Sequence, residues 1–302
     1  METGRRNIKT DLINTLCALD CKIYKDELLS RRSSFKIGGA ADYFMEIPNE
    51  KALREFLKYA QKNNTRYFLA GCATNVLFSD EGYRGVVIRL TGDFERLEIK
   101  DCEISCGGSV SLAVALKVAL DNNLSGLECV SGIPGTAGAA VFGNAGGKDL
   151  WISRAVKSVE VYRGVKKKLI NKEKIDFGYR KSGLEGCIIT KVNFSLKKEE
   201  RNDILKEVLE SIQKRSEAQP LSVPNAGCIF KNPPGISAGK LIDEAGLKGV
   251  CRGAAKISEK HANFIINTGG AKSADVKELI AFIRKTVEDK FGIRLETEIK
   301  IV

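Results

Sequence analysis

The segment Gly126–Gly147, GLECVSGIPGTAGAAVFGNAGG, constrains this chain more than any other stretch. Its glycines fall at 126, 132, 135, 138, 143, 146 and 147, and Glu128 is its only charge. Glycine at this density lets backbone approach a ligand closely and aim N–H groups at anionic oxygens, as a pyrophosphate requires. The competing reading is a flexible linker. Linkers are rich in Ser or charge, whereas this stretch carries Ile133, Val141 and Phe142. The two common nucleotide fingerprints are absent. Phe142 stands where a GxxxxGK[ST] loop would need its first glycine before Gly147-Lys148, and no GxGxxG follows an early strand.

A chain of 302 residues has room for two or three domains. Its 49 basic and 38 acidic residues leave a charge of +11, which suits nucleic acid, an acidic surface or a small anionic substrate. The bases are scattered. The densest run, Lys166-Lys167-Lys168, reads as a solvated turn between strands, and no nucleic-acid motif accompanies it, so no nucleic-acid partner is expected. The nine cysteines include no CxxC, and Cys17/Cys21 and Cys102/Cys106 are not at zinc-knuckle spacing. His261 is the only histidine, so no metal site is expected. Scattered single cysteines in a long chain read as reduced thiols of a cytoplasmic protein. The first twenty residues, METGRRNIKTDLINTLCALD, lack an apolar h-region, so neither a signal peptide nor membrane insertion is expected.

Elements follow from capping and periodicity. Asn49 caps a helix with Leu53, Phe56, Leu57 and Ala60 on one face. Strands fall at Tyr67–Leu69, Val86–Ile88, Glu103–Cys106, Val156–Tyr162 and Ile188–Leu196. The last of these should place Ile188, Thr190, Val192, Phe194 and Leu196 on one face. Ser109 should cap a helix bearing Leu112, Ala113, Leu116, Ala119 and Leu120. The charged run Lys197–Asn202 marks a boundary. A helix then carries Ile204, Leu205, Val208, Leu209 and Ile212, before QPLSVPNAGCIFKNPPG, a loop that four prolines make rigid. Lys240–Ala245 is a short helix and His261–Asn267 a strand. Ser273 should cap a long helix ended by Gly292, and Ile293–Val302 should be a strand with Leu295, Ile299 and Ile301 on one side and Glu296, Glu298 and Lys300 on the other. The expected organisation is α+β, with an N-terminal segment 1–30, a first domain 31–198 and a second, α/β domain 199–302.

Eight stretches occur in an order that resembles one family: SFKIGGAADYF (34–44), GCATNVLFSDEGYRGVVI (71–88), SGLECVSGIPGTAGAAVFGNAGG (125–147), FGYRKS (177–182), PNAGCIFKNP (224–233), AGKLIDEAGLKG (238–249), SEKHANFIIN (258–267) and LETEI (295–299). The chain resembles the UDP-N-acetylenolpyruvoylglucosamine reductases (MurB) over nearly its whole length, in their shorter form without an extra tyrosine loop. The resemblance implies a vanillyl-alcohol-oxidase (PCMH-type) FAD-binding domain followed by a substrate-binding C-terminal domain. It implies non-covalent FAD and NADPH, and reduction of an enolpyruvyl ether on a UDP-sugar to the lactyl ether.

The resemblance places the FAD pyrophosphate on Gly71, Cys72, Ala73, Thr74 and Asn75, and on Ile133, Pro134, Gly135, Thr136 and Gly138. It matches Arg180 and Glu298 to catalytic positions, and puts Lys231 and Asn232 against the UDP-sugar. Hydride addition to an enolpyruvyl group builds negative charge that a fixed cation and a proton donor must meet. Arg180 can grip a carboxylate with two parallel bonds; alone it would read as a surface ion pair. A glutamate beside a substrate carboxylate needs protonation or a bridging cation, and Glu298 could equally be an exposed strand residue. Lys231 suits a diphosphate as a point charge, or is a solvated loop lysine. His261 reads as structural.

Three residues depart from the family pattern. Ala73 and Ala254 replace usual glycines, harmless at negative φ and costly at positive φ. Cys228 stands where the family more often has its proton-donating serine. A thiol of ordinary pKa ~8.5 keeps its proton at neutral pH and is a better acid than a hydroxyl, while a small packed cysteine is the competing role. Two other functions remain open: another oxidoreductase on the same FAD fold, against which FKNP and SEKHAN argue, and a basic nucleic-acid-binding or scaffold protein, which would be colourless.

Overall fold

Among the described residues, hydrophobic segments gather into three buried clusters, and these decide the architecture. The computed structural model describes residues 8, 10–147 and 150–302. Within the first twenty residues, expected to carry no signal, residues 1–7 and 9 lie outside the described residues, as does Lys148. The chain divides into two interleaved units. One comprises residues up to Lys25, Tyr43–Gly71 and Arg84–Lys214, and the other Asp26–Asp42, Cys72–Tyr83 and Arg215–Val302. The expected boundaries at 30/31 and 198/199 therefore do not coincide with the division. Phe35, Ile37 and Leu77 are buried among the C-terminal residues Ala226, Ile229, Leu279 and Leu295, which takes two early segments into the second unit.

The first unit is built on a five-stranded sheet in the order Lys166–Asn171, Val156–Arg163, Cys187–Ser195, Glu103–Gly107, Leu97–Lys100, antiparallel throughout. Val159, Val161, Val192, Phe194, Ile104 and Cys106 bury one face of it under the helices Leu112–Asp121 and Ala137–Phe142. Each such side chain contributes roughly 1.5–3 kcal/mol on full burial. The lysine run is part of the edge strand Lys166–Asn171, not a turn. Its lysines are exposed, and lysine on an edge discourages further strand pairing. The central strand does not alternate as expected. A bulge at Thr190, where Glu160 faces Lys191 but Val161 faces Ile189, inserts one extra residue. Ile188 thereby joins a different buried cluster from Val192 and Phe194.

The helix Leu112–Asp121 is capped by Ser111, whose hydroxyl accepts from the Val114 N–H at 3.2 Å, rather than by Ser109. The first helical hydrogen bond runs from the Ala115 N–H to the Ser111 carbonyl, while the Val110 carbonyl accepts from the Ala137 N–H, so the helix begins after Ser111. Ala115, not Ala113, completes its buried face. Asn49 caps its helix as expected, accepting from the Ala52 N–H at 2.9 Å, and Leu53, Phe56, Leu57 and Ala60 are buried with Met45, Val86 and Ile88. In the helix Arg201–Ala218, Ile204 and Val208 are buried while Leu209 and Ile212 are exposed.

The second unit carries a four-stranded sheet, Asn225–Cys228, Phe264–Asn267, Ala255–Ile257, Cys251–Arg252. The helix Ser273–Phe291 supplies Val276, Leu279, Ile280, Ile283 and Val287 to the same core. Its cap comes from far away in sequence. Asp80 accepts from the Ser273 N–H (2.8 Å), the Ser273 hydroxyl (2.8 Å) and the Ala274 N–H (3.1 Å). Ser273 is the first helical residue rather than the cap. The expected strand 293–302 forms only at Lys300–Ile301, parallel to Val76–Leu77. A bend at Ile299 breaks the alternation, so Leu295 and Ile299 are buried and Ile301 is exposed.

Candidate active site

In the first unit, the glycine segment and the FGYRKS turn form one construction. The glycine segment's only charge, Glu128, is taken up locally by the Gly126 N–H at 2.8 Å. Cys129 beside it is inert: burial, and then Glu128, push its thiol up to about 11. The N–H groups of Ile133, Ala137 and Gly138 donate to the carbonyls of Val130, Val110 and Gly108. Gly138 therefore serves close packing; a Cβ there would fall 2.9 Å from the Gly108 oxygen. Thr136 caps the Ala137–Phe142 helix through the Ala139 N–H. The N–H groups of Gly135 and Thr136 donate to no protein acceptor among the described residues. The Ser131 hydroxyl is fully buried and likewise has no partner there. An orphaned hydroxyl and two unpaired N–H groups on a glycine turn are what an anionic diphosphate takes up, so these residues fit FAD. Gly71 adjoins the same turn, its added Cβ lying 3.4 Å from the Thr136 hydroxyl.

Arg180 occupies a two-residue turn closed by hydrogen bonds between Gly178 and Lys181. Its φ of 53° is left-handed, a strained setting for a residue other than Gly or Asn. Asn144 donates to the Gly178 carbonyl at 2.9 Å and Ser182 to the Phe142 carbonyl at 2.7 Å, fastening the turn to the end of the glycine segment. The guanidinium Nη1 donates to the Gly146 carbonyl at 3.2 Å. Its Cζ lies 5.4 Å from the Trp151 ring centre and 5.3 Å from that of Tyr179. Gly146 pairs directly with Trp151, and a Cβ at Gly146 would fall 2.2 Å from the Leu150 oxygen, so only glycine permits this approach.

In the second unit, Cys228 ends the strand Asn225–Cys228 and is half-buried. A bulge lies in the pairing between Asn225 and Cys228, and Gly227 within it has φ 75°. Asn225 fixes the preceding proline-rich loop by donating to the Pro220 and Val223 carbonyls. Glu298 is half-buried, and its N–H donates to the carbonyl of Ile229, the residue after Cys228, at 2.8 Å. The two candidates therefore lie on hydrogen-bonded neighbouring segments. Asn75 Nδ2 reaches the Glu298 carbonyl at 3.4 Å. The Lys231 ammonium pairs with Glu296 at 2.5 Å in an exposed ion pair. Asn232 accepts from the Ala238 N–H at 3.0 Å, at the start of the short helix Ala238–Glu244. Within the first expected FAD loop, Cys72 is exposed and Ala73 is buried at φ 47°, the costly case. Ala254 is the harmless case: Gly253, at φ 50°, takes the left-handed place in its hairpin. Burial holds His261 below the usual histidine range, its ring packs on Phe264 at 4.9 Å, and Nδ1 accepts from the Asn263 N–H, so it is a neutral structural residue.

Sequence reasoning missed the groups that hold these candidates. Trp151, the chain's only tryptophan, could have been noticed for its place just after the glycine segment. Ser131, Tyr179 and Asn263 lie inside motifs already singled out but were assigned no role.

Comparison with known proteins places this geometry. An FAD binding domain family matches residues 41–164, and the family of UDP-N-acetylenolpyruvoylglucosamine reductase C-terminal domains matches residues 219–302. The fold is thus a PCMH-type FAD-binding domain joined to a C-terminal domain of that reductase type. The UDP-N-acetylenolpyruvoylglucosamine reductase of Caldanaerobacter subterraneus is 41% identical over 93% of this chain and 94% of its own length. UDP-N-acetylenolpyruvoylglucosamine reductase 2 of Symbiobacterium thermophilum is 40% identical over 93% and 92%. The crystal structure of the enzyme from Thermus caldophilus superposes with a TM-score of 0.82 at 35% identity, covering 93% of this chain and 99% of that one. The chain belongs to the UDP-N-acetylenolpyruvoylglucosamine reductase family.

Among the described residues no helix is long and apolar enough to cross a membrane.

Proposed function

We propose that this chain is a cytoplasmic, FAD- and NADPH-dependent oxidoreductase that reduces the enolpyruvyl ether of a UDP-sugar, giving UDP-N-acetylmuramate for peptidoglycan synthesis. The observation that carries this is 41% identity with a reductase of that name along 93% of the chain. We read residues 31–198 as the FAD-binding part and 199–302 as the substrate-binding part of the shorter form of the family.

FAD held here would supply the chemistry, a hydride drawn from NADPH for the terminal carbon of the enolpyruvyl group. Gly71–Asn75 and Ile133–Gly138 hold it without a covalent link. Ser131 and the N–H groups of Gly135 and Thr136 are its diphosphate donors. Arg180 takes the substrate carboxylate in its planar fork and stabilises the charge that grows on the adjacent carbon. Cys228 gives its proton to that carbon. Glu298, working with Arg180, polarises the carboxylate or enol. Lys231 and Asn232 face the UDP-sugar, with Lys231 exchanging Glu296 for the diphosphate.

The test is turnover. The purified yellow protein, given NADPH and UDP-N-acetylglucosamine enolpyruvate, should consume NADPH and form a product two hydrogens heavier. No such product would overturn the function. Arg180→Lys keeps the charge but loses the fork, and should slow transfer to the sugar by about 10²-fold while leaving flavin reduction unchanged. An unchanged transfer rate would remove Arg180 from the chemistry.

A further inference from the structure

The geometry points to Trp151, aided by Tyr179, as a positioning residue that sets the orientation of the Arg180 guanidinium for the second half-reaction. The inference rests on the assignment of Arg180 made above.

A free arginine side chain is rotamer-rich, and a guanidinium that must meet a carboxylate in a bidentate fork gains from losing that freedom in advance. Here the backbone of Arg180 is already fixed in a strained turn. Its side chain is held at the far end by two rings and one carbonyl. Trp151 and Tyr179 meet edge to face, with centroids 5.7 Å apart and planes at 80°, so together they form a corner. The guanidinium carbon lies within cation–π range of both. The Gly146 carbonyl takes one N–H of the fork. Two of the three supports, Trp151 and Gly146, are built from one piece of backbone, and Tyr179 precedes Arg180 in its own turn. Trp151 is paired with Gly146 itself, across the hairpin that only a glycine at 146 permits. Indole is the strongest cation–π partner among the side chains, and a flat guanidinium stacks where an ammonium does not. The corner therefore favours arginine at this position through its face, while the carboxylate reads its edge.

The test uses the flavin-loaded full chain with Trp151→Leu, Trp151→Phe, Arg180→Met and the double variant Trp151→Leu/Arg180→Met. Flavin reduction by NADPH and reoxidation by the enolpyruvyl sugar are timed separately. Trp151→Leu should slow reoxidation about 5- to 30-fold, with flavin content and the reduction step at parent level. Trp151→Phe, which keeps a ring, should stay within about threefold of the parent. In the Arg180→Met background, Trp151→Leu should cost less than about twofold, because its effect passes through the arginine. Parent-like reoxidation in Trp151→Leu, or the same loss in both backgrounds, overturns the inference and leaves the role of Arg180 standing. Parent-like reoxidation in Arg180→Met overturns the role of Arg180 instead. If Trp151→Leu does not fold, emission decides: Trp151 is the only tryptophan, so Arg180→Met should change the emission of the holoenzyme. Unchanged emission would show that the pair does not interact.

Discussion

The FGYRKS turn and the PNAGCIFKNP strand each present a candidate reactive side chain, and they fix it by different means. Arg180 is held at its far end, by rings and a carbonyl that touch the guanidinium itself. Cys228 has too short a side chain for that, and its place is set by backbone. Asn263, almost fully buried, grips Phe230 on both sides, its Oδ1 accepting from the Phe230 N–H (2.9 Å) and its Nδ2 donating to the Phe230 carbonyl (2.8 Å). The Asn263 carbonyl also takes the N–H of Ile229, directly after Cys228. A long cation can be tuned without touching the fold, whereas a short acid can be moved only by moving the strand under it. Substitutions around Arg180 should therefore change rates, and substitutions around Cys228 should change stability as well.

The largest effect should come from the thiol. Cys228→Ala should lose roughly 10²–10⁴-fold in transfer to the sugar, the usual worth of a positioned acid, and Cys228→Ser should recover much of it. Steady-state turnover checks this; a parent-like Cys228→Ala enzyme would make the residue packing rather than chemistry.

Next comes the strand's support. Asn263→Ala leaves the Phe230 N–H and carbonyl buried without partners and should cost about 2–4 kcal/mol of stability, read from denaturant unfolding. A change well under 1 kcal/mol would break the contrast drawn above.

Asp80 gives a pH-dependent version. Burial alone would raise its pKa, but the N–H and hydroxyl of Ser273, the Ala274 N–H and nearby Lys277 together hold it below the usual carboxylate range. A depressed carboxylate contributes stability that is fully present above its unfolded value of ~3.9 and is lost as pH falls through the folded value. Asp80→Asn should cost about 0.5–2 kcal/mol at neutral pH, in the range of a lost helix cap. The gap to the parent should close below about pH 4. A gap independent of pH would mean that the carboxylate charge is not what caps the helix.

The smallest effect belongs to Ala73. Its left-handed backbone costs about 1–2 kcal/mol in an L-residue, partly offset by the extra unfolded-state entropy of glycine. Ala73→Gly should raise the melting temperature by an amount equivalent to about 0.5–1 kcal/mol. A lower melting temperature would show that the methyl group packs better than its backbone suffers.

Much of this was legible in the sequence where the reason was local. The Asn49 cap, the helix ended by Gly292 and the glycine segment depend on near neighbours. The sequence suggests Ser109 as a cap because nothing in it says that the Val110 carbonyl is taken by the Ala137 N–H and so kept out of the helix. The Asp80 cap and the entry of Phe35, Ile37 and Leu77 into the C-terminal core depend on residues far apart in the chain, and no window of sequence contains them. At the candidate site, motifs put Arg180, Cys228 and Glu298 forward as candidates. They could not reveal that Gly138 spends its N–H on Gly108, or that Trp151 faces Arg180, since pairing and stacking are properties of folded neighbours.

The central claim is that Arg180, Cys228 and Glu298 act on the enolpyruvyl group and not on the cofactor's reduction. Anaerobic mixing separates the two events by colour. Parent, Arg180→Lys, Cys228→Ala and Glu298→Gln proteins are first bleached with one equivalent of NADPH and then given the enolpyruvyl sugar. All four should bleach at similar rates, and the parent alone should regain its yellow colour promptly, with the variants slower by about 10²-fold or more. Variants that recolour as fast as the parent, or that fail to bleach, would contradict the account.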